Sequence, residues 1–363
     1  MQKTVLVTGA GGFIGSHLCE ALDSQGVKVV GVDNFNNYYD PKVKFKNLEN
    51  FFSAQDLESL CQVIKSPYQS FTDYSDDNDH DFLQEEVKSL TRANFKLYGL
   101  DLCDYKVLKK VFEQNEITHV VNLAAYAGVR PSTQKPSLYF RNNGESTVNL
   151  LNLAKDFKIQ KFVHASSSSV YGAVNSVPFN EEQDVSKPIS PYAASKVADE
   201  ARLNAFYYLN KIPTVALRFF TVYGPRQRPD LAISKFTKLI DQGQEIEIYG
   251  DGTAKRDFTY IEDILDGILK AIDLDCAYEI FNLGESHTTD VNTLIQIIEK
   301  NLGKKAKIKF ADPVPGDVPI TYADITKSKN ILGYNPQTLI EEGIAKYVAW
   351  YKTLRTVSIL SHD

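Results

Sequence analysis

Three observations in the sequence predict an α/β fold built on a doubly wound parallel sheet. The chain opens with an apolar strand, a glycine-rich turn, a helix and a second strand that ends in an acid. Strand-like and helix-like stretches then alternate as far as residue 219, with one interruption. No period of 20–50 residues recurs, which speaks against a solenoid. Alternation of this kind places helices on both faces of a parallel sheet.

Residues 4–8 form a short buried-strand pattern around Val5, Leu6 and Val7. The turn reads Gly9-Ala10-Gly11-Gly12-Phe13-Ile14-Gly15. Gly9 permits a tight turn, Gly12 admits a pyrophosphate close to the backbone, and Gly15 lets helix and strand pack closely. The helix over 16–24 would offer free N–H groups to phosphates. The second strand, 27–33, ends at Asp33, eighteen residues after Gly15, where an acid accepts from adenosine ribose hydroxyls. An acid there also repels a 2′-phosphate, so the pattern points to NAD rather than NADP. A glycine turn alone is a weak signal; its context on both sides strengthens it.

The interruption follows. Residues 34–47 read as a polar, aromatic loop leading into a helix. Residues 48–91 are too long for a simple connection and read as an insertion of two short helices and a polar tip. The first helix carries Phe51, Leu57, Leu60, Val63 and Ile64, and the second Phe82, Leu83, Val87 and Leu90. The acidic run 75–81 between them reads as solvated surface rather than a cation site. The alternation then resumes with a strand at 94–100 ending at Asp101, a helix at 105–115 and a strand at 119–123. Small residues, Ala124 and Ala125 among them, follow that strand and allow a flat cofactor to approach. A long helix at 138–157, a strand at 161–165, a helix ending at 210 and a strand at 214–219 complete the pattern. Beyond it, 245–249 and 305–310 read as strands and 261–272, 291–302 and 339–352 as helices, with a proline-rich loop at 312–319.

At 363 residues and 43% apolar composition the chain suffices for one very large domain or two modest ones. A formal charge of -6 disfavours nonspecific nucleic-acid binding. The four cysteines form no zinc-like cluster and read as reduced thiols of a cytoplasmic protein. No metal-ligand set stands out, no run suits a membrane span, and the first residues do not suit a signal peptide.

Tyr192 and Lys196 form the chemical centre of the sequence. Spaced four apart at the start of a helix, they share one helix face. A phenol is a poor base near neutrality, and a neighbouring ammonium stabilises its phenolate. The run 166–169, four serines after a strand, brings hydroxyls to the sheet edge where ligands of open sheets bind. His17, His119 and His164 have no partners in sequence and read as packing residues.

Taken together, these motifs resemble the extended short-chain dehydrogenase/reductase superfamily, in its nucleotide-sugar epimerase branch. The motifs are the glycine turn, Leu-Ala-Ala-x-Ala-Gly-Val-Arg, Ser-Ser-Ser-Ser-Val-Tyr-Gly, Pro-Tyr-x-x-x-Lys and Arg-Asp-Phe-Thr-Tyr. The likeness runs from residue 3 to about 350, apart from much of 50–93, and is greatest to bacterial UDP-glucuronate 4-epimerases. It implies a Rossmann-type NAD-binding domain at 1–221, carrying the helical insertion at about 50–93, and a smaller, interleaved α/β substrate-binding domain. The latter would take 222–256 and most of 286–352, the chain returning to the first domain over 257–285, with a tail at 353–363.

The resemblance also implies roles. Gly9, Gly12, Phe13, Ile14, Gly15, Asp33, Asn34, Asp101, Leu102, Ala124 and Ala125 fall on the NAD-binding motifs. Tyr192 is the base, Lys196 holds the nicotinamide ribose, and Ser167 relays the proton. Arg130, Asn143, Ser167, Ser168, Thr221, Arg228 and Arg256 fall among substrate-binding positions. The implied reaction oxidises the sugar at C4 with tightly bound NAD and returns hydride to the opposite face. Dehydratases of this branch carry an acid pair before Val-Tyr-Gly and decarboxylases a Glu second, where this chain has Ser168 and Ser169. Arg226 and Arg228, two residues apart, suggest recognition of a sugar carboxylate by a planar guanidinium. UDP-glucuronate is therefore the expected substrate. UDP-glucose, UDP-N-acetylglucosamine or its uronate are the alternatives, and an inactive NAD-binding scaffold or sensor is the reading of another class. A homodimer paired through long helices flanking the sheet is implied as well.

Overall fold

In a computed structural model, the chain is described over residues 2–75, 81–173, 176–312 and 318–360. It divides into two compact units. The first comprises Met1–Gly172, Asp184–Arg218 and Ile268–Phe281, and the second Ala173–Gln183, Phe219–Gly267 and Asn282–Asp363. These boundaries differ from those drawn on the sequence. The second unit takes an early excursion at 173–183, and the return to the first is confined to 268–281.

The strands of the first unit are β1 (Thr4–Thr8), β2 (Lys28–Asp33), β3 (Ser89–Arg92), β4 (Phe95–Gly99), β5 (His119–Asn122), β6 (Lys161–Ser167) and β7 (Thr214–Phe219). In the second are β8 (Thr221–Tyr223), β9 (Glu245–Tyr249), β10 (Lys255–Arg256) and β11 (Phe258–Tyr260). The strand β12 (Tyr278–Leu283) begins in the first unit and ends in the second, which also holds β13 (Thr289–Asp290) and β14 (Lys307–Ala311). One eight-stranded sheet has the order β12-β7-β6-β5-β1-β2-β4-β3. The pairs β1–β2, β1–β5, β2–β4 and β5–β6 are parallel. Every residue of β1 and of β5 is buried, as expected of central strands covered on both faces. The chain order reverses between β1 and β5, which makes their C-terminal ends the switch point where open sheets bind ligands.

The flanking helices are α1 (Phe13–Ser24), α2 (Pro41–Asn47), α3 (Ala54–Cys61), α4 (Tyr105–Gln114), α5 (Val129–Gln134), α6 (Pro136–Asp156) and α7 (Pro191–Asn210). On one face Leu6, Val30, Val120 and Phe162 of the strands meet Val111, Phe112, Leu150 and Leu203 of the helices. The start of α7 is set by Ser190, whose hydroxyl accepts from Ala193 N at 3.1 Å, and by Pro191 in the first turn. That capping fixes Tyr192 in the first turn and Lys196 one turn later.

The insertion departs from expectation. Its first helix is present as α3, but the second, expected on Phe82, Leu83, Val87 and Leu90, is absent. Residues 81–88 are irregular, and Ser89–Arg92 forms β3, antiparallel to β4 with Leu90 opposite Leu97. The physical reason is the exposed edge of β4: pairing satisfies its backbone groups, and one apolar residue facing the sheet suffices for a short edge strand. Residues 76–80 of the acidic run lie outside the described residues, as do 313–317 of the proline-rich loop. The last helix extends into the expected tail, through residues 353–360.

The second unit holds α8 (Ala232–Asp241), most of α9 (Ile261–Asp273), α10 (Val291–Leu302) and α11 (Ile340–Leu360). Its strands form three two-stranded pairs, with β8–β11 and β9–β14 parallel and β10–β13 antiparallel. Thr221 N donates to Asp257 O at 3.0 Å, which ties the segment after β7 to the one before β11.

Candidate active site

The glycine turn adopts the form its residues require. Gly9 has φ +68°, and a Cβ on Gly15 would lie 2.1 Å from Gly9 O, so turn and helix touch where only glycine fits. Gly12 stands at the N-terminus of α1, and no side chain caps it. That end of α1, carrying Phe13, Ile14 and Gly15, leaves helix N–H groups and the positive end of the helix dipole available to an anion. Ala124 N donates to Thr8 Oγ1 at 3.1 Å, joining the ends of β1 and β5. Ala125 is half-buried beside it.

Asp33 is buried and oriented. Its Oδ2 accepts from Gly11 N at 3.0 Å and its Oδ1 from Phe35 N at 2.7 Å, with Lys44 Nζ at 3.4 Å. A carboxylate offers about four acceptor positions, so one remains for a hydroxyl. Asp101 is similar: Oδ1 accepts from Cys103 N at 2.9 Å, and Oδ2 from Asn34 Nδ2 at 2.9 Å and Ser66 Oγ at 2.6 Å. Leu102 is buried next to it. An uncapped glycine-rich helix start beside two oriented acids fits the donor and acceptor pattern of a dinucleotide. Lys44 and Ser66 escaped the sequence reading; the only signal for Lys44 was its place in the helix that follows the ribose acid.

Around the Tyr-Lys pair the geometry is equally specific. Lys196 is buried and donates to Ala165 O at 2.7 Å, at the end of β6. Ser167 lies two residues further on. Its Oγ accepts from Ser169 N at 3.1 Å and lies 2.9 Å from Ser169 Oγ, capping the short 3-10 turn that contains Ser168. Tyr192 is half-buried, with its ring edge-on to Tyr139 at 6.3 Å between centroids. Asn143 is buried, and its side-chain amide is spent inside the protein. It accepts from Tyr126 N at 2.8 Å and donates to Tyr126 O at 3.0 Å and Ser195 Oγ at 3.2 Å. These bonds clamp the segment after β5 to the first turn of α7.

Beneath the serines lies an ion pair that the sequence reading missed. Arg218 donates to Glu200 from Nε at 2.9 Å and from Nη2 at 2.8 Å, and to Tyr171 OH at 3.0 Å. Ser166 Oγ donates to the same Glu200 at 2.5 Å. The available signal was a charged residue four after Lys196 on a buried helix face. His17, His119 and His164 are packed against neighbouring side chains. His119 is pushed down to about 4, chiefly by burial, and His164, buried against Asn122, falls well below its ordinary value for the same reason. His17 packs edge-on to Phe13. The cysteines are free, and burial pushes the Cys61 thiol up to about 12.

The remaining candidates lie on α5 and in the second unit. Arg130 is exposed on α5. In the second unit, Thr221 opens β8 and Arg256 closes β10, both half-buried. Arg228 forms a forked pair with Asp230, Nε at 3.0 Å and Nη2 at 2.7 Å. Arg226 has a positive φ of 65°. No helix among the described residues is long and apolar enough to cross a membrane.

Fold and site together define a dinucleotide-dependent enzyme of the extended short-chain dehydrogenase/reductase type. The family described as NAD dependent epimerase/dehydratase matches residues 5–284, and the chain belongs to it, in its nucleotide-sugar epimerase branch. A UDP-glucuronate 4-epimerase of Thermodesulfobacterium geofontis is 38% identical, over 96% of this chain and 95% of that protein. Among solved structures, the UDP-glucuronic acid 4-epimerase of Bacillus cereus, in complex with UDP-glucuronic acid and NAD, has a TM-score of 0.81 at 34% identity. It matches 97% of this chain and 99% of that one. UDP-glucose 4-epimerase of Thermotoga maritima, with UDP-glucose, has a TM-score of 0.80 at 27% identity, over 97% and 99% of the two chains.

Proposed function

We propose that this chain is an NAD-dependent UDP-sugar 4-epimerase that interconverts UDP-glucuronate and UDP-galacturonate. The observation that carries the reading is the placement of Tyr192 and Lys196 in the first turns of α7, with the Lys196 ammonium anchored at the end of β6, where the serine run begins. Bound NAD supplies the hydride acceptor and donor for C4 of the sugar. Tyr192 takes the proton of the 4-hydroxyl and later returns it. Lys196 favours the phenolate and holds the nicotinamide ribose, and Ser167 relays the proton. Asp33 and Asp101 orient the adenosine end, and Asn143 positions rather than touches the sugar. Ser168, Thr221, Arg130 and Arg256 complete the substrate contacts. Similarity to enzymes of UDP-glucuronate supports the acidic sugar, and so does Arg228, whose fork would exchange Asp230 for the sugar carboxylate. A neutral UDP-hexose is the second reading, favoured by the likeness to a UDP-glucose epimerase.

We assign the same protein to a cytoplasmic homodimer paired through α6 and α7. Phe140 and Val148 of α6 and Tyr208 and Leu209 of α7 expose large apolar side chains. On α4, by contrast, Lys109, Lys110 and Glu113 are exposed. Light scattering should give about twice 40.8 kDa; a monomer at every concentration would refute the pairing. The function is tested by incubating pure protein with UDP-glucuronate, UDP-glucose and UDP-N-acetylglucosamine in parallel. UDP-glucuronate should be turned over fastest.

A further inference from the structure

The segment 66–74 of the insertion takes no part in the reaction above, yet it is fastened at both sides. On one side it is laced to the residues after Asp33. Asn37 N donates to Gln69 O at 2.9 Å, Phe71 N donates to Asn37 Oδ1 at 2.7 Å, and Gln69 Nε2 reaches Asn34 O at 3.4 Å. On the other side Lys135, between α5 and α6, donates to the carbonyls of Phe71, Thr72 (2.9 Å) and Tyr74 (3.1 Å). Those three bonds use every donor of an ammonium. Tyr126 OH also donates to Tyr68 O, and Arg141 to Tyr74 OH at 3.3 Å.

Between these fastenings lies a cleft of about 490 Å³, lined by Phe35, Asn37, Ser66, Gln69 and Asp73 among others. It adjoins the adenosine end of the proposed cofactor site, since Phe35 N bonds Asp33 and Ser66 Oγ bonds Asp101. Ser66 holds Asp101, which has three of about four acceptor positions filled and can take one more donor, as an adenine amino group is. Phe35 and Asn37 follow directly on the ribose acid.

We propose that residues 66–74 form the outer wall of the adenosine pocket, with Lys135 as its latch, and that this wall governs how slowly the dinucleotide leaves. The proposal rests on the NAD reading of the site. A dinucleotide anchored at the glycine turn would have to displace the wall to depart, and among its fastenings Lys135 alone engages three of its carbonyls.

The test is the exchange of bound NAD against excess radiolabelled NAD, measured on wild type, Lys135→Met, Asn37→Ala and Lys88→Met. Lys88 donates to Ser59 O and serves as a control within the same insertion. Lys135→Met should release NAD about tenfold faster or more, since loss of charge-assisted bonds is worth at least that factor. Asn37→Ala should shift in the same direction, and Lys88→Met should match wild type. Wild-type exchange in a folded Lys135→Met protein would overturn the proposal. Should that variant fail to fold, Asn37→Ala decides in the same way. Wild-type protein that holds no NAD(H) and takes none up would instead overturn the NAD reading itself.

Discussion

The framework beneath the proposed proton and hydride chemistry and the residue proposed for sugar choice are built differently. Lys196, Ser166, Glu200 and Arg218 are buried on α7, β6 and β7, and each is held by partners from another element. Arg228 stands on a loop, and the fork that would read a carboxylate is held by Asp230, two residues away. The first arrangement resists change, because removing one member leaves a buried charge or donor without its partner. The second can be edited, because an ion pair between near neighbours on a loop, with Asp230 open to solvent, is worth little and a ligand can replace it. The contrast teaches why one fold can keep one redox reaction while accepting several sugars.

The largest effect is expected at Tyr192. Tyr192→Phe removes the proton acceptor and should lower kcat by about 10²–10⁴-fold, with circular dichroism and NAD retention unchanged. A fall of less than about tenfold would assign the base elsewhere. Next comes the ion pair beneath the serines. Arg218→Met leaves Glu200 buried without its cation, and should cost about 3–5 kcal/mol of stability in denaturant titration. Arg228→Met should leave stability nearly unchanged. Its effect falls instead on the acidic substrate, where kcat/KM for UDP-glucuronate should drop by roughly one to two powers of ten. A neutral UDP-hexose should lose much less, and equal losses would make Arg228 a phosphate or structural residue.

The smallest effect concerns the pH dependence of the second unit. Glu285 is buried and raised to about 8, first by burial and then by Asp263 and Asp257. Among the described residues its Oε2 has no hydrogen-bond partner. The folded state therefore holds a proton that the unfolded chain releases near 4.5, and stability falls as pH rises from about 4.5 to about 8. Glu285→Gln should flatten that fall in a series of melting curves. An unchanged slope would place the pH dependence elsewhere.

Much of the first unit was legible in the sequence, because its signals are local. The strand, glycine turn, helix and acid at 4–33 specify one another within a short stretch, and Tyr192 and Lys196 need only a helix to share a face. β3 was not legible, since it exists only because β4 offers an edge. The Arg218–Glu200 pair and the Lys135 latch join different elements, and no local pattern names the partners. The motif around Asn143 could not show that its amide is bonded inside the protein. The excursion at 173–183 carries no composition change that would mark a boundary.

We propose that this chain epimerises UDP-glucuronate at C4. Proton NMR of UDP-glucuronate with purified protein, and no added oxidant, tests it most directly. Conversion to an equilibrium mixture with UDP-galacturonate, abolished in Tyr192→Phe, is the expected result. UDP-glucuronate left unchanged by a preparation that converts UDP-glucose would contradict it.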